Sequence, residues 1–264
     1  MGFWEALLLG IVQGLTEFLP VSSSGHLALF TEILGADRLP EENLLFTILV
    51  HAATALATLI VFRKDIAVII SGVFQKEDTH ARHFVGKIVV SMLPAVVVGL
   101  FFEEEITALF GSNVALVGAM LCLTALLLFF TDRATEKQYP ISYKIALIIG
   151  LAQAVAILPG ISRSGATIAT ALLIGAARPE AARFSFLMVI PLILGSMAKT
   201  LLDNGTATFA SVDTLPMAVG FVTALVSGVL ACTWMIALVK RSKLIYFAVY
   251  CAVVGSIALV VSWS

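Results

Sequence analysis

An ungapped internal repeat constrains this chain more than any other feature. GIVQGLTEFLPVSSSGH at residues 10–26 and GLAQAVAILPGISRSGAT at residues 150–167 superimpose at an offset of 140 positions. Gly10 aligns with Gly150, Gln13 with Gln153, Ser22 with Ser162, Ser24 with Ser164, Gly25 with Gly165 and Gly35 with Gly175. Each copy breaks an apolar stretch, at Leu19-Pro20-Val21-Ser22 and at Pro159-Gly160-Ile161-Ser162. Proline removes a backbone donor and clashes with the preceding turn. Serine at the next helix start is a good N-cap. Paired halves that each hold an interrupted apolar segment point to a site near the bilayer midplane. The polar residues are not duplicated. The first copy carries Glu17 and His26, the second Arg163, so two complementary half-sites are expected to meet.

Composition supports the membrane reading. Of 264 residues, 60% are hydrophobic and 12% charged, with a mean hydropathy of +1.04. A soluble domain carries about 25% charged residues. One integral membrane domain over 1–264 is expected, with repeat halves at about 1–135 and 140–264. A net charge of −1 without a basic stripe argues against a nucleic-acid partner. Cys122, Cys232 and Cys251 lie in apolar runs without metal spacing and read as packing residues. MGFWEALLLG lacks a basic n-region and is read as running into the first motif rather than as a cleaved signal.

Six runs approach the ~20 apolar residues that a span requires: 44–62, 84–102, 114–131, 182–202, 215–239 and 244–262. The remaining apolar stretches, 3–35 and 143–176, are each two shorter runs around a break, read as re-entrant helical hairpins. With both hairpins returning to the side they came from, thirteen Lys and Arg fall on one side, from Arg63 to Lys243. Only Arg38 and Lys199 fall on the other, and Arg163 sits at a hairpin tip. That bias makes the first side cytoplasmic and both termini external. Each half is then one hairpin plus three spans. An odd number of spans inverts the second half relative to the first. The expected fold is an all-α polytopic membrane protein with an inverted-topology repeat, its hairpin tips face to face. Broken backbone is tolerated at membrane depth only where it is buried in protein or lines a polar cavity.

Gln13 and Glu17 are four apart and share a helix face. Ser22, Ser23, Ser24 and His26 start the next half-helix, and a hydroxyl at position 22 or 23 is spaced to lie beside the imidazole. The second copy offers Ser162, Arg163, Ser164 and Thr167. Ionic groups at membrane depth cost ~2.5–3.5 kcal/mol each on insertion scales and are functional candidates by default. Backbone capping accounts for one serine per hairpin, but not for a carboxylate, an imidazole and a guanidinium at matching breaks. Helix N-termini bind anions, and a guanidinium grips phosphate with two parallel hydrogen bonds. A phosphate or diphosphate ligand follows. A hydroxyl beside a base then suggests phosphoryl transfer. Spacing leaves Ser22, Ser23 and His26 open as the nucleophile.

QGLTEFLPVSSSGH at 13–26 and PGISRSGAT at 159–167 closely resemble the signatures of the bacterial undecaprenyl-diphosphate phosphatases, the bacitracin-resistance family. The hydrophobic layout resembles that family over essentially the whole chain. Gln13 stands where members carry Glu or Gln, leaving Glu17 as the acidic member, and Ser24 replaces a commoner Thr. The resemblance implies hydrolysis of a polyprenyl diphosphate, undecaprenyl diphosphate, to the monophosphate carrier lipid and phosphate. It also implies a bacterial cytoplasmic membrane and a site open to the outer face. By motif position Ser23 looks like the nucleophile, with Glu17 and His26 handling protons. Arg163 would clamp the diphosphate, with Gln13, Ser22, Ser24, Gly25, Ser162, Ser164 and Thr167 binding substrate. Mg²⁺ or Ca²⁺ is implied as cofactor; Glu17 alone is a poor metal site and would hold an ion only through diphosphate and water. A homodimer is left open.

Weaker signals are His51, inside the first span, and His80 and His83, in the long cytoplasmic loop. His51 is read as either lining the site near Gln13 or simply packed. Glu103, Glu104 and Glu105 read as a solvated helix end, and 65–74 as a surface amphipathic helix. A lipid-phosphate transporter or flippase is the main alternative, because inverted repeats and broken helices suit transport. The two-histidine lipid phosphatases need a second histidine soon after Ser-Arg, and none follows His83.

Overall fold

In the computed structural model, all residues are described except 35–39, 76–77, 110–113, 135–136, 205–212, 242 and 263–264. Gly35, Arg38 and Lys76 lie outside the described residues. Twelve helices are described: α1 Phe3–Phe18, α2 Ser23–Ile33, α3 Pro40–Val61, α4 Arg63–Phe74, α5 Thr79–Phe101, α6 Glu103–Leu109, α7 Val114–Thr131, α8 Tyr143–Val155, α9 Arg163–Ile174, α10 Arg178–Asn204, α11 Thr214–Lys240 and α12 Ile245–Val261. No strand occurs among the described residues; one isolated bridge joins Tyr139 to Ala176.

Five helices, α3, α5, α7, α10 and α11, contain stretches long and apolar enough to cross a membrane. The sixth expected span, α12, is 17 residues long and falls just short. Its outward face, with Val249, Val253, Ile257 and Val260 exposed, is apolar. An apolar exposed face suits contact with lipid. Between the hairpin helices the chain breaks where the sequence places proline. α1 ends at Phe18 and α2 starts at Ser23; α8 ends at Val155 and α9 starts at Arg163. Gly175 closes α9 in the left-handed conformation, φ +101°, as a helix-ending glycine does.

Two local expectations change. The stretch expected at 65–74 is helical from Arg63. Glu103 does not end the preceding span: α5 stops at Phe101 and Glu103 opens the separate short helix α6. The cysteines are free, with Cys232 and Cys251 buried.

The hairpins pack across the halves. α1 lies against α11, and α8 against α5. Small residues permit both approaches. A Cβ at Gly14 would meet the Ala224 carbonyl of α11 at 2.5 Å, and one at Gly150 the Ser91 carbonyl of α5 at 2.3 Å. α7 packs along α12. Phe18, Phe62, Phe84, Phe184 and Phe186 anchor the main core below the breaks.

Candidate functional site

The two breaks meet tip to tip, and the contact is reciprocal. A Cβ on Gly25 would lie 3.3 Å from Gly160 Cα, and one on Gly165 would lie 3.2 Å from Pro20 Cβ. Gly25 and Gly165 are repeat equivalents, and so are Pro20 and Gly160. The caps repeat too. Ser22 Oγ accepts from Gly25 N at 3.2 Å, and Ser162 Oγ from Gly165 N at 3.1 Å. Ser164 Oγ donates across the junction to the Leu19 carbonyl at 3.2 Å. The Ser162 amide donates to Thr124 Oγ1 of α7 at 3.1 Å. One asymmetry stands out. Ser22 has φ +70°, a left-handed conformation uncommon for a non-glycine residue, whereas Ser162 is extended.

Glu17 is the hub. Its carboxylate is 7% exposed and receives three donors. Gln13 Nε2 reaches Oε2 at 3.0 Å, as the four-residue spacing predicts. Ser23 Oγ donates to the same oxygen at 2.7 Å. The Arg163 guanidinium from the other hairpin donates to Oε1 and makes an ion pair with it. An unpaired buried charge would cost several kcal/mol, and mutual pairing offsets much of that. The pair also welds the two half-sites into one.

A cavity of about 640 Å³ opens beside this hub, lined by Thr16, Glu17, Ser23, Ser24, Ser162, Arg163 and Ser164 from the hairpins. Its apolar walls are Met92, Ala95, Val96 and Leu100 of α5 and Val189, Leu192 and Ile193 of α10. His51 of α3 and Ser196 and Lys199 of α10 complete the polar lining. The arrangement suits an anionic head with a long apolar tail. Hydroxyls and a guanidinium face the head, while aliphatic side chains flank the rest.

Not every residue predicted from the sequence reaches the cavity. Gln13 is fully buried and acts on Glu17. Ser22 is a buried cap, and Gly25 packs at the tip contact. Thr167 is fully buried, with its hydroxyl 2.5 Å from Ser185 Oγ. His26 departs furthest from expectation. Its Nδ1 donates to the Ser22 carbonyl at 2.8 Å, and its Nε2 accepts from the Tyr250 hydroxyl of α12 at 2.7 Å, with the rings stacked 5.6 Å apart. Spacing alone lets a serine hydroxyl lie beside this imidazole. The backbone carbonyl of Ser22 takes that place instead, and the Ser23 hydroxyl turns to Glu17. The physical reason is local: the first turn of α2 offers a carbonyl four residues back, within reach of Nδ1. His51 is the histidine that reaches the cavity, with Nε2 3.9 Å from Glu17 Oε2. A single histidine in an apolar span gave little sequence signal, because the partner that matters lies on another helix.

Among the described residues no three His, Cys, Asp or Glu side chains cluster to hold a metal. Both Glu17 oxygens are already engaged by neighbouring side chains. The residues do not fit a protein-held metal centre.

The family model described as "Bacitracin resistance protein BacA" matches residues 6–257. The Undecaprenyl-diphosphatase of Christiangramia forsetii is 55% identical over 264 residues, covering 100% of both chains. That of Bacteroides fragilis is 53% identical over 268 residues, covering 99% of each chain. A more distant one, from Methanococcus vannielii, is 40% identical over 254 residues, covering 94% of this chain and 95% of its own. The chain belongs to the BacA family of bacitracin resistance proteins.

Proposed function

We propose that this chain hydrolyses undecaprenyl diphosphate to undecaprenyl phosphate and inorganic phosphate in the cavity between the hairpin breaks. The activity recycles the carrier lipid for cell-wall synthesis and gives bacitracin resistance. Full-length similarity to undecaprenyl-diphosphatases supports the reaction. The observation that carries the mechanism is the chain Ser23–Glu17–Arg163 at the cavity wall.

Ser23 Oγ attacks the terminal phosphorus, and its proton passes to Glu17 Oε2, already 2.7 Å away. The bridging P–O bond breaks and the lipid monophosphate leaves. Arg163 has five N–H donors; one holds Glu17 Oε1, and others are available to oxygens of the diphosphate. Ser24 adds a hydroxyl at the head, while Ser162 and Ser164 line the cavity and hold the junction beside it. Gln13 holds Glu17 in place. His26, locked onto Tyr250, fixes the first turn of α2 and so the direction of Ser23. A divalent cation would enter with the diphosphate and offset its charge.

We read the architecture as one membrane domain of two inverted halves, about 1–135 and 140–264. Two features support this: the reciprocal tip contact, and the crossed packing of α1 on α11 and α8 on α5. The four hairpin helices are 16, 11, 13 and 12 residues long. A span requires ~20, so each hairpin re-enters its own side. The bias of basic residues to one side supports a first hairpin, and a site, open to the outer face of a bacterial cytoplasmic membrane.

The test is phosphate release from the purified protein in detergent. A phosphatase releases phosphate from undecaprenyl diphosphate without a membrane to cross; a transporter or flippase does not. Arg163→Ala should lower kcat by ~100-fold or more, because the guanidinium meets charge that develops in the transition state. Arg163→Lys should also be strongly impaired, since it keeps charge but loses the planar fork. KM should rise less than kcat falls. A kcat near the parent's in Arg163→Ala would remove the clamp role.

A further inference from the structure

Phosphoserine chemistry needs a base twice. In the first step Glu17 takes the Ser23 proton. In the second, water attacks the phosphorus and the Ser23 Oγ–P bond breaks. Glu17 must then return its proton to the departing Oγ, so it does not take the water's proton at the same moment. Of the other cavity-lining residues, Arg163 and Lys199 are cations, and Ser and Thr hydroxyls are weak bases. That leaves His51.

Its geometry suits the task. Nδ1 lies 2.8 Å from the Thr47 carbonyl. A carbonyl only accepts, so Nδ1 carries the ring proton and Nε2 presents a lone pair. Nε2 stands 3.9 Å from Glu17 Oε2, the oxygen that holds Ser23, and the side chain is 28% exposed. The imidazole lines the main cavity and a smaller one of about 180 Å³ between α3 and α10, with Thr47, Ile193 and Ser196. A separation of this kind between polar groups at a cavity wall leaves room for a bridging water. His26 shares the Nδ1–carbonyl bond, but its Nε2 is taken by the Tyr250 hydroxyl and the ring does not line the cavity.

We propose that His51 is the base for the hydrolytic water: its Nε2 accepts the water proton as the phosphoserine at position 23 is cleaved. The water oxygen bonds to phosphorus, the Glu17 proton returns to Ser23 Oγ, and the proton on His51 leaves with the released phosphate. This rests on Ser23 as nucleophile.

The experiment is rapid-quench kinetics on the full-length protein with undecaprenyl diphosphate labelled in its terminal phosphate. In His51→Ala, lipid monophosphate should form in a burst of about one per enzyme. Phosphate release should then be ~100-fold slower than in the parent, the scale of a lost general base. Acid-quenched protein should carry labelled phosphoserine at position 23. His51→Gln, with no proton-accepting ring nitrogen, should behave alike and serves if the alanine variant fails to fold. If His51→Ala and His51→Gln keep parental rates, or slow both products equally with no covalent phosphate, His51 does not activate the water. Turnover surviving in Ser23→Ala would instead sink the nucleophile assignment, and this proposal with it.

Discussion

Ser22 shows how a conformation and a hydrogen bond oppose each other at one residue. Left-handed backbone costs a non-glycine residue ~1–2 kcal/mol, while its hydroxyl caps Gly25. Ser22→Ala loses the cap, worth ~1 kcal/mol, and keeps the strain. Ser22→Gly loses the hydroxyl but relieves the backbone. Thermal melts in detergent should therefore rank Ser22→Gly above Ser22→Ala, and the reverse order would show that the left-handed geometry carries no strain. Tyr250→Phe removes the partner of His26 Nε2 and should cost ~1 kcal/mol of stability. Its kcat should fall less than that of Ser23→Ala, because Tyr250 acts on the framework. Single residues were legible in the sequence where their partner lay on the same helix or at the matching break. Gln13 and Glu17 met through their four-residue spacing, and Glu17 met Arg163 through the repeat. The contacts of His26 with Tyr250 and of His51 with Glu17 were not legible, because those partners lie on other helices. No spacing rule reaches that far.

The helices divide by how they tolerate close approach. α8 can touch α5 only because position 150 has no side chain; the obstacle to one is the Ser91 backbone, which cannot rotate aside. Gly150→Ala should therefore destabilise the protein by ~1–3 kcal/mol, the range for overpacking. Gly99 on α5 has open space around its Cβ position. There Gly99→Ala should stabilise by up to ~1 kcal/mol through helix propensity. Opposite shifts in melting temperature check both; a silent Gly150→Ala would mean that α5 and α8 slide apart freely. The same logic explains which elements the sequence revealed. Hydropathy exposed the long spans, and proline with serine exposed the breaks. α6 stayed hidden because three consecutive glutamates resemble a solvated end as much as a helix start. α4 was visible through its amphipathic pattern but began two residues earlier than expected.

At the scale of the whole molecule, the repeat exchanges partners. α1 and α8 each pack on a span of the opposite half, so neither half completes its own hairpin environment. The chemistry is nevertheless one-sided. Glu17 aligns with Ile157 and His26 with Ala166, while Ser23 aligns with Arg163. In the proposed inverted-repeat architecture a symmetric scaffold thus carries one asymmetric site, and its accessible side follows from the orientation of the first hairpin. That orientation is tested by cysteine accessibility in intact cells with an impermeant thiol reagent. Gln75→Cys, after α4, and Lys243→Cys, before α12, should remain unlabelled until the cells are opened. Asp213→Cys, before α11, should label directly. Native Cys232 and Cys251 are buried, so labelling is read against the unsubstituted parent. The reasoning is the charge bias: residues near positions 75 and 243 sit among Arg63, Lys64, Arg82, Lys240 and Arg241, and basic loops stay cytoplasmic. External labelling at 75 and 243 with protection at 213 would invert the molecule and turn the cavity toward the cytoplasm. Labelling of 75 and 213 from the same side would break the alternation through α5, α7 and α10, and with it the re-entrant path of the second hairpin, α8 and α9.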